Sequence, residues 1–185
     1  MKKKIIVIFF YFFFIESSWA TLNEKIIFNL EKINNLTFNF KQTINNKNET
    51  GNCVIKYPKK IFCSYANLNE KIMVSNGKYL VIKNKNINQY YIYPLEKTPL
   101  VLILNKKYLI NKIKNLKSKI IDEKYINFKI IDNKYEIDIF FDKKSLNLIG
   151  WQTEDIYQNL VITFISNVKL NQNLDDDVFK LPKKN

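Results

Sequence analysis

The side chains with chemical potential in this 185-residue chain are few in kind: two cysteines, a run of three aspartates, scattered glutamates and many lysines, with no histidine. Without histidine the commonest general base and the commonest metal ligand are both missing. Cys53 and Cys63, with no further cysteine, make no standard zinc site. Asp175, Asp176 and Asp177 could attract a hard cation, but they fall in a polar stretch that reads as a solvated loop before a strand. Glycine occurs only at 51, 77 and 150, so no phosphate-cradling loop is present. Carboxylates and lysines can catalyse, yet their spacing suggests no enzyme, and neither a metal nor a cofactor is assigned. Cys53 and Cys63 flank Tyr57, Pro58 and Lys59 symmetrically. In a tight hairpin they would face each other, either as a cross-strand disulfide or as two buried thiols.

The first residues read as an export signal. Lys2, Lys3 and Lys4 precede an apolar run, Ile5 to Ile15, and Ser18-Trp19-Ala20 supplies small residues for cleavage after Ala20. A membrane anchor is the competing reading, but the run is short of the roughly 20 residues a spanning helix requires. Residues 1–20 are therefore expected to be a signal peptide and 21–185 a single domain. Thr21 would follow the cut, so no lipidated cysteine is expected there. The formal net charge is +13, and every basic residue is lysine. Export argues against a nucleic-acid partner, which so basic a chain would otherwise suggest. The lysines are either a solvated surface or an attraction to anionic head groups or an acidic partner.

Thr21 and Glu24 fit a capping box, and Leu22, Ile26, Leu30 and Ile33 recur at helical spacing, which predicts an amphipathic helix to about Ile33. Leu36, Phe38 and Phe40 then alternate with polar residues, the period of a strand. Asn45 to Thr50 reads as a polar loop. Asn52 to Tyr57 and Ile61 to Tyr65 form an expected hairpin. Asn76-Gly77 between two extended runs is a strong hairpin signal, since both central residues of the favoured turn need positive φ. A tyrosine-rich strand, Gln89 to Tyr93, follows. Thr98 is the expected N-cap and Pro99 the first position of a short helix of five aliphatics, Leu100 to Leu104. A second amphipathic helix covers Lys107 to Leu116. Period-two runs through Ile126-Phe128-Ile130, Tyr135 to Phe141, Leu146-Leu148 and Leu160-Ile162-Phe164 predict an antiparallel meander, and Val178 to Pro182 closes the chain.

The run Val74, Ser75, Asn76, Gly77, Lys78 and Leu80, then Gln89, then Thr98-Pro99 before an apolar helix, resembles the LolA family of periplasmic lipoprotein carriers in order and spacing. Phe40 with Gln42 also fits, as do Lys56-Tyr57-Pro58 with Ile61, the segment Phe164 to Asn171, and Phe179 to Pro182. The likeness spans nearly all of the chain after residue 20. It implies an α+β fold: an incomplete antiparallel β-barrel, one curved sheet capped by short lid helices.

Taken alone, Leu100 to Leu104 and the strand aliphatics read as packed core; the resemblance instead implies a cavity that admits acyl chains. Its wall would include Leu36, Phe40, Ile55, Met73, Leu80, Ile82, Tyr91, Leu100, Leu102, Ile103, Phe128 and Phe164. Tyr57 stands where the family carries an arginine that reaches the lid helices, and would be the lid contact. A phenol lacks the charge and the multi-donor fork of guanidinium. The partners implied are triacylated lipoproteins, an inner-membrane ATP-driven release complex and an outer-membrane receptor, with the carrier a periplasmic monomer. The alternative is a periplasmic lipid- or lipoprotein-binding sensor on the same scaffold.

Overall fold

The computed structural model describes residues 21–66, 71–84, 86–132, 135–155 and 157–184. The export segment read over residues 1–20 lies outside them. The chain starts with α1 (Leu22–Glu31), whose capping box is present: the Thr21 hydroxyl accepts from the Glu24 amide, and the Glu24 carboxylate accepts from the Thr21 amide. Ile26, Ile27 and Leu30 form its buried stripe.

Six strands follow in hairpin succession: β1 (Asn35–Ile44), β2 (Lys47–Lys56), β3 (Lys60–Tyr65), β4 (Lys71–Asn76), β5 (Tyr79–Asn84) and β6 (Gln89–Pro94). After a single 3-10 turn, Leu95–Lys97, come α2 (Leu100–Leu104) and α3 (Lys106–Asn115). Five more strands complete the sheet: β7 (Lys119–Ile121), β8 (Tyr125–Asp132), β9 (Tyr135–Asp142), β10 (Leu148–Glu154) and β11 (Leu160–Leu170). All eleven belong to one antiparallel sheet in the order β6-β5-β4-β3-β2-β1-β11-β10-β9-β8-β7. β6 and β7 are its edges and do not pair with each other, so the sheet is an unclosed shell. A register shift between Thr37 and Asn39 where β1 meets β11 adds twist in its middle.

Local chemistry departs from the sequence reading at five points. Asn45 to Thr50 is not a loop: Asn45 and Asn46 both take positive φ in a two-residue turn, and the strands continue to either side. That is the geometry expected at Asn76-Gly77. There the turn is instead Gly77-Lys78, with positive φ only at Gly77, and the Asn76 side chain accepts from the amides of Lys78 and Tyr79. Thr98 does not cap α2 with its side chain; its buried hydroxyl donates to Leu95 O at 2.8 Å. The last segment is a 3-10 turn, Asp176–Phe179, rather than a strand. Leu146 lies in a turn with positive φ, and β7 had no periodic signal in its three residues.

The inner face of the shell is one continuous apolar layer. Leu36, Phe38, Phe40, Ile55, Ile61, Leu80, Ile126, Phe128, Ile130, Ile137, Ile139, Phe141, Trp151 and Ile165 cluster with α1, α2 and α3. Cys53 and Cys63 are register partners on this face and form a disulfide. Gly51 makes room for the packing of Phe40 on Tyr65, ring centroids 5.0 Å apart; a Cβ there would meet Ser64 O at 2.0 Å.

Candidate functional site

The concave face and the five-residue helix that fills it are the candidate binding site. Val101, Leu102, Ile103 and Leu104 are all buried, so α2 has no polar face. A helix this short gains little from its own hydrogen bonds and keeps its place by packing. Its main-chain tether comes from the hairpin joining β2 and β3: the Lys59 amide donates to Leu104 O at 2.9 Å. Lys59 adopts positive φ there, which turns its amide toward the helix end. The Lys59 carbonyl accepts from the Ser75 hydroxyl at 3.0 Å, and Ser75 Oγ accepts in turn from the Gly77 amide at 3.1 Å. Ser75 is fully buried. The Ser-Asn-Gly signature thus has a physical role: its serine braces the tip that holds α2.

A second tether comes from the start of α3. Lys106 Nζ donates to Glu31 O and Ile33 O at 3.1 and 2.6 Å, closing the end of α1, where main-chain carbonyls lack helical partners. Burial pushes the Lys106 ammonium below its ordinary pKa, an effect opposed by Glu31. At the far end the Asn23 side chain donates to Ile113 O and Leu116 O. These two links lay α1 and α3 antiparallel across the shell.

Cross-strand register gives the position of each residue expected on the wall. Leu36, Phe40, Ile55, Leu80, Leu102, Ile103 and Phe128 are buried in the inner-face cluster, and Met73 and Leu100 pack against it half-exposed. Ile82 and Tyr91 are register partners on the same face, with Tyr91 at the open β6 edge stacked on Tyr93. Phe164 is not on this wall. Val161, Thr163 and Ile165 of β11 point inward, so Phe164 is on the outer face, 47% exposed and stacked on Phe140. Both faces of β11 carry apolar side chains, so alternation alone could not orient it; the Gln42 side chain donating to Thr163 Oγ1 inside the shell fixes its parity.

Tyr57 packs against the same cluster, and its amide donates to Asn34 O. Its ring faces the α3 ammonium of Lys106 at 5.6 Å. Burial raises the phenol well above its usual pKa. The hydrogen bond to α2 comes from Lys59, two residues on, through a backbone amide that no side-chain motif could reveal.

At the opposite end of the inner face the wall turns polar. Glu49 and Lys71 form an ion pair at 2.8 Å, each side chain less than one-fifth exposed, with Lys71 Nζ 4.1 Å from the centre of the Tyr65 ring. Burial, then the charge of Glu49, raises the Tyr65 phenol.

The LolA family model, "Outer membrane lipoprotein carrier protein LolA", matches residues 31–182, from the end of α1 through the C-terminal segment. The chain belongs to the LolA family. No curated protein matches it significantly. Among solved structures, an uncharacterized conserved protein from Thermus thermophilus is similar at 10% identity and TM-score 0.52, covering 88% of this chain and 96% of that one. A LolA superfamily protein from Nitrosomonas europaea, also 10% identical, covers 88% of this chain and 99% of its own at TM-score 0.45. At these identities the likeness concerns the fold.

The aspartate run has an ordinary explanation in this LolA-family chain. Asp176 pairs with Lys56 and Lys60, Asp177 with Lys180, and Asp175 accepts from the Asp177 amide. No cluster of metal-ligating side chains occurs among the described residues, and none of their helices is long and apolar enough to cross a membrane.

The C-terminal segment also covers the outer face of β3 to β6, which the sequence did not suggest. Phe179 is buried there, Lys83 Nζ donates to Lys183 O, and the Tyr90 hydroxyl donates to Pro182 O. Val74 and Val81, which point outward, are buried as a result.

Proposed function

We propose that this LolA-family protein is a periplasmic carrier that hides the acyl chains of lipoproteins against the inner face of its shell, with α2 as the exchangeable cover. Residues 1–20 act as the export signal. An inner-membrane ATP-driven release complex supplies cargo, and an outer-membrane receptor takes it. The observation that supports this reading is a five-residue, wholly apolar helix, tethered at one end, packed on an apolar wall in a shell that does not close.

The magnitudes favour exchange. Burying four aliphatic side chains is worth about 6–12 kcal/mol, and a triacyl group of on the order of 40 methylenes gains roughly 30 kcal/mol on leaving water. Acyl chains can therefore replace α2 on the wall. Return of α2 to an emptied wall lowers the free energy of unloading, which lets cargo pass to the next acceptor. Leu36, Phe40, Ile55, Met73, Leu80, Ile82, Tyr91 and Phe128 are the wall in this reading, and Leu100, Leu102 and Ile103 move with the cover.

The test is to mix purified protein with inner-membrane vesicles loaded with lipoprotein and the ATP-driven complex. Stoichiometric transfer of lipoprotein to the soluble fraction is expected. Binding of free lipid with no release of lipoprotein would overturn the carrier reading in favour of a sensor.

A further inference from the structure

We infer that the solvent face of α1 and α3 is a docking surface for an anionic phospholipid bilayer. From Lys106 to Lys119 the chain carries six lysines and no acidic residue. Lys107, Lys114, Lys117 and Lys119 are exposed, and Lys112 partly so. Elsewhere, in the strands and their turns, lysines 56, 59, 60, 71, 129 and 143 each have a carboxylate partner. Beside α3, α1 carries Phe28 on the side opposite its buried stripe, 57% exposed. Lys32 Nζ sits 3.6 Å from the centre of that ring, and Lys25 lies on the same solvent side. Glu24 and Glu31 of α1 and Asp132 of β8, which faces Tyr108 and Lys112, are nearby acids, and they offset only part of the charge. Glu24 is engaged in the α1 cap.

An exposed aromatic flanked by lysines on helices lying flat is the pattern of interfacial membrane binding, with the ring entering the head-group layer and the ammonium groups meeting anionic lipid. A protein partner fits less well. Specific protein interfaces favour arginine, with its planar fork, and are depleted in lysine, and this chain contains no arginine at all. The surface adjoins α2, so docking would bring the cover of the concave face to the membrane.

Co-sedimentation of the unloaded protein with vesicles tests this independently of any cargo transfer. Binding to vesicles of phosphatidylglycerol and phosphatidylcholine, none to phosphatidylcholine alone, and release at about 0.5 M salt are expected. Replacing Lys107, Lys114 and Lys117 together by Gln should weaken binding about a hundredfold, at roughly fivefold per lysine. Phe28→Ser should weaken it about tenfold. Replacing Lys41, Lys47 and Lys169, exposed on the sheet, removes the same charge and should cost far less. No binding by the wild-type protein, equal binding to neutral vesicles, or equal loss in the two lysine triples would overturn the inference. The first of these outcomes would turn attention to an acidic protein partner.

Discussion

The shell is covered on both faces, and the two covers are built differently. Inside, α2 contributes four buried aliphatics and a single backbone bond from Lys59. Outside, the C-terminal segment contributes one buried aromatic, Phe179, ion pairs from Asp176 to Lys56 and Lys60, and carbonyl contacts with Lys83 and Tyr90. An apolar cover is replaced without loss only by another apolar body, because water on the exposed wall costs about 25 cal/mol per Å². Polar links such as those outside can be exchanged for water at small cost. Under the proposed function the inner cover is the one that yields to lipid, and the outer one, anchored by buried Phe179, is the fastening.

Leu102→Glu should disturb the inner cover most severely. A carboxylate in the inner cluster, with no partner there, is expected to cost about 4 kcal/mol or more of the closed arrangement. Urea unfolding should register the loss, and an apolar dye should bind the uncovered wall. Normal lipoprotein binding and delivery by this variant would count against α2 as the cover. Phe179→Ala should cost about 3–4 kcal/mol of stability while cargo binding by the surviving folded protein stays within a few-fold. A matched loss of binding would mean that the outer cover also takes part.

Ser75→Ala sharpens the picture at smaller scale. It removes a buried hydroxyl that donates to Lys59 O and accepts from the Gly77 amide, at about 1–2 kcal/mol. Amide exchange should quicken at Lys59 more than at Val178 or Lys180. The smallest effect concerns acid. Hydrogen bonds from Lys56 and then Lys60 hold the Asp176 carboxyl below its ordinary range. Its stabilising contribution is therefore complete above the unfolded-state aspartate pKa and is lost as pH falls through the depressed folded value. Exchange at Val178 should rise over that acid window in the wild type, and much less so in Asp176→Asn.

The difference between the covers also explains what the sequence could convey. The α1 cap, the β2–β3 hairpin with its facing cysteines and the aliphatic helix after Thr98-Pro99 are encoded by neighbouring residues, and they appear in the fold as read. The sheet's openness and family likewise followed from motifs in sequence order. Features set by distant partners were hidden. The parity of β11, and with it the outward direction of Phe164, depends on Gln42 across the sheet. The tether from Lys59 to Leu104 is a backbone contact whose only local trace is the Ser75 motif. The docking of Phe179 on the outer face looked like one more strand because its alternation is satisfied equally well by an extended strap. Asn45-Asn46 makes the two-residue turn with positive φ at both positions that was expected at Asn76-Gly77, and the latter turn moves on to Gly77-Lys78, because strand register, not the residue pair alone, decides which residues turn.

The most direct test is amide hydrogen exchange at Lys59 and Asn105, compared with Val178 and Lys180, with and without bound lipoprotein. Lys59 donates to Leu104 O and so reports α2 in place, and Asn105 donates to Val101 O and so reports α2 kept helical by its packing; Val178 and Lys180 report the outer strap. Loading is expected to strip protection from the first pair and leave the second unchanged. Full protection at Lys59 and Asn105 with lipoprotein bound would contradict α2 as the exchangeable cover.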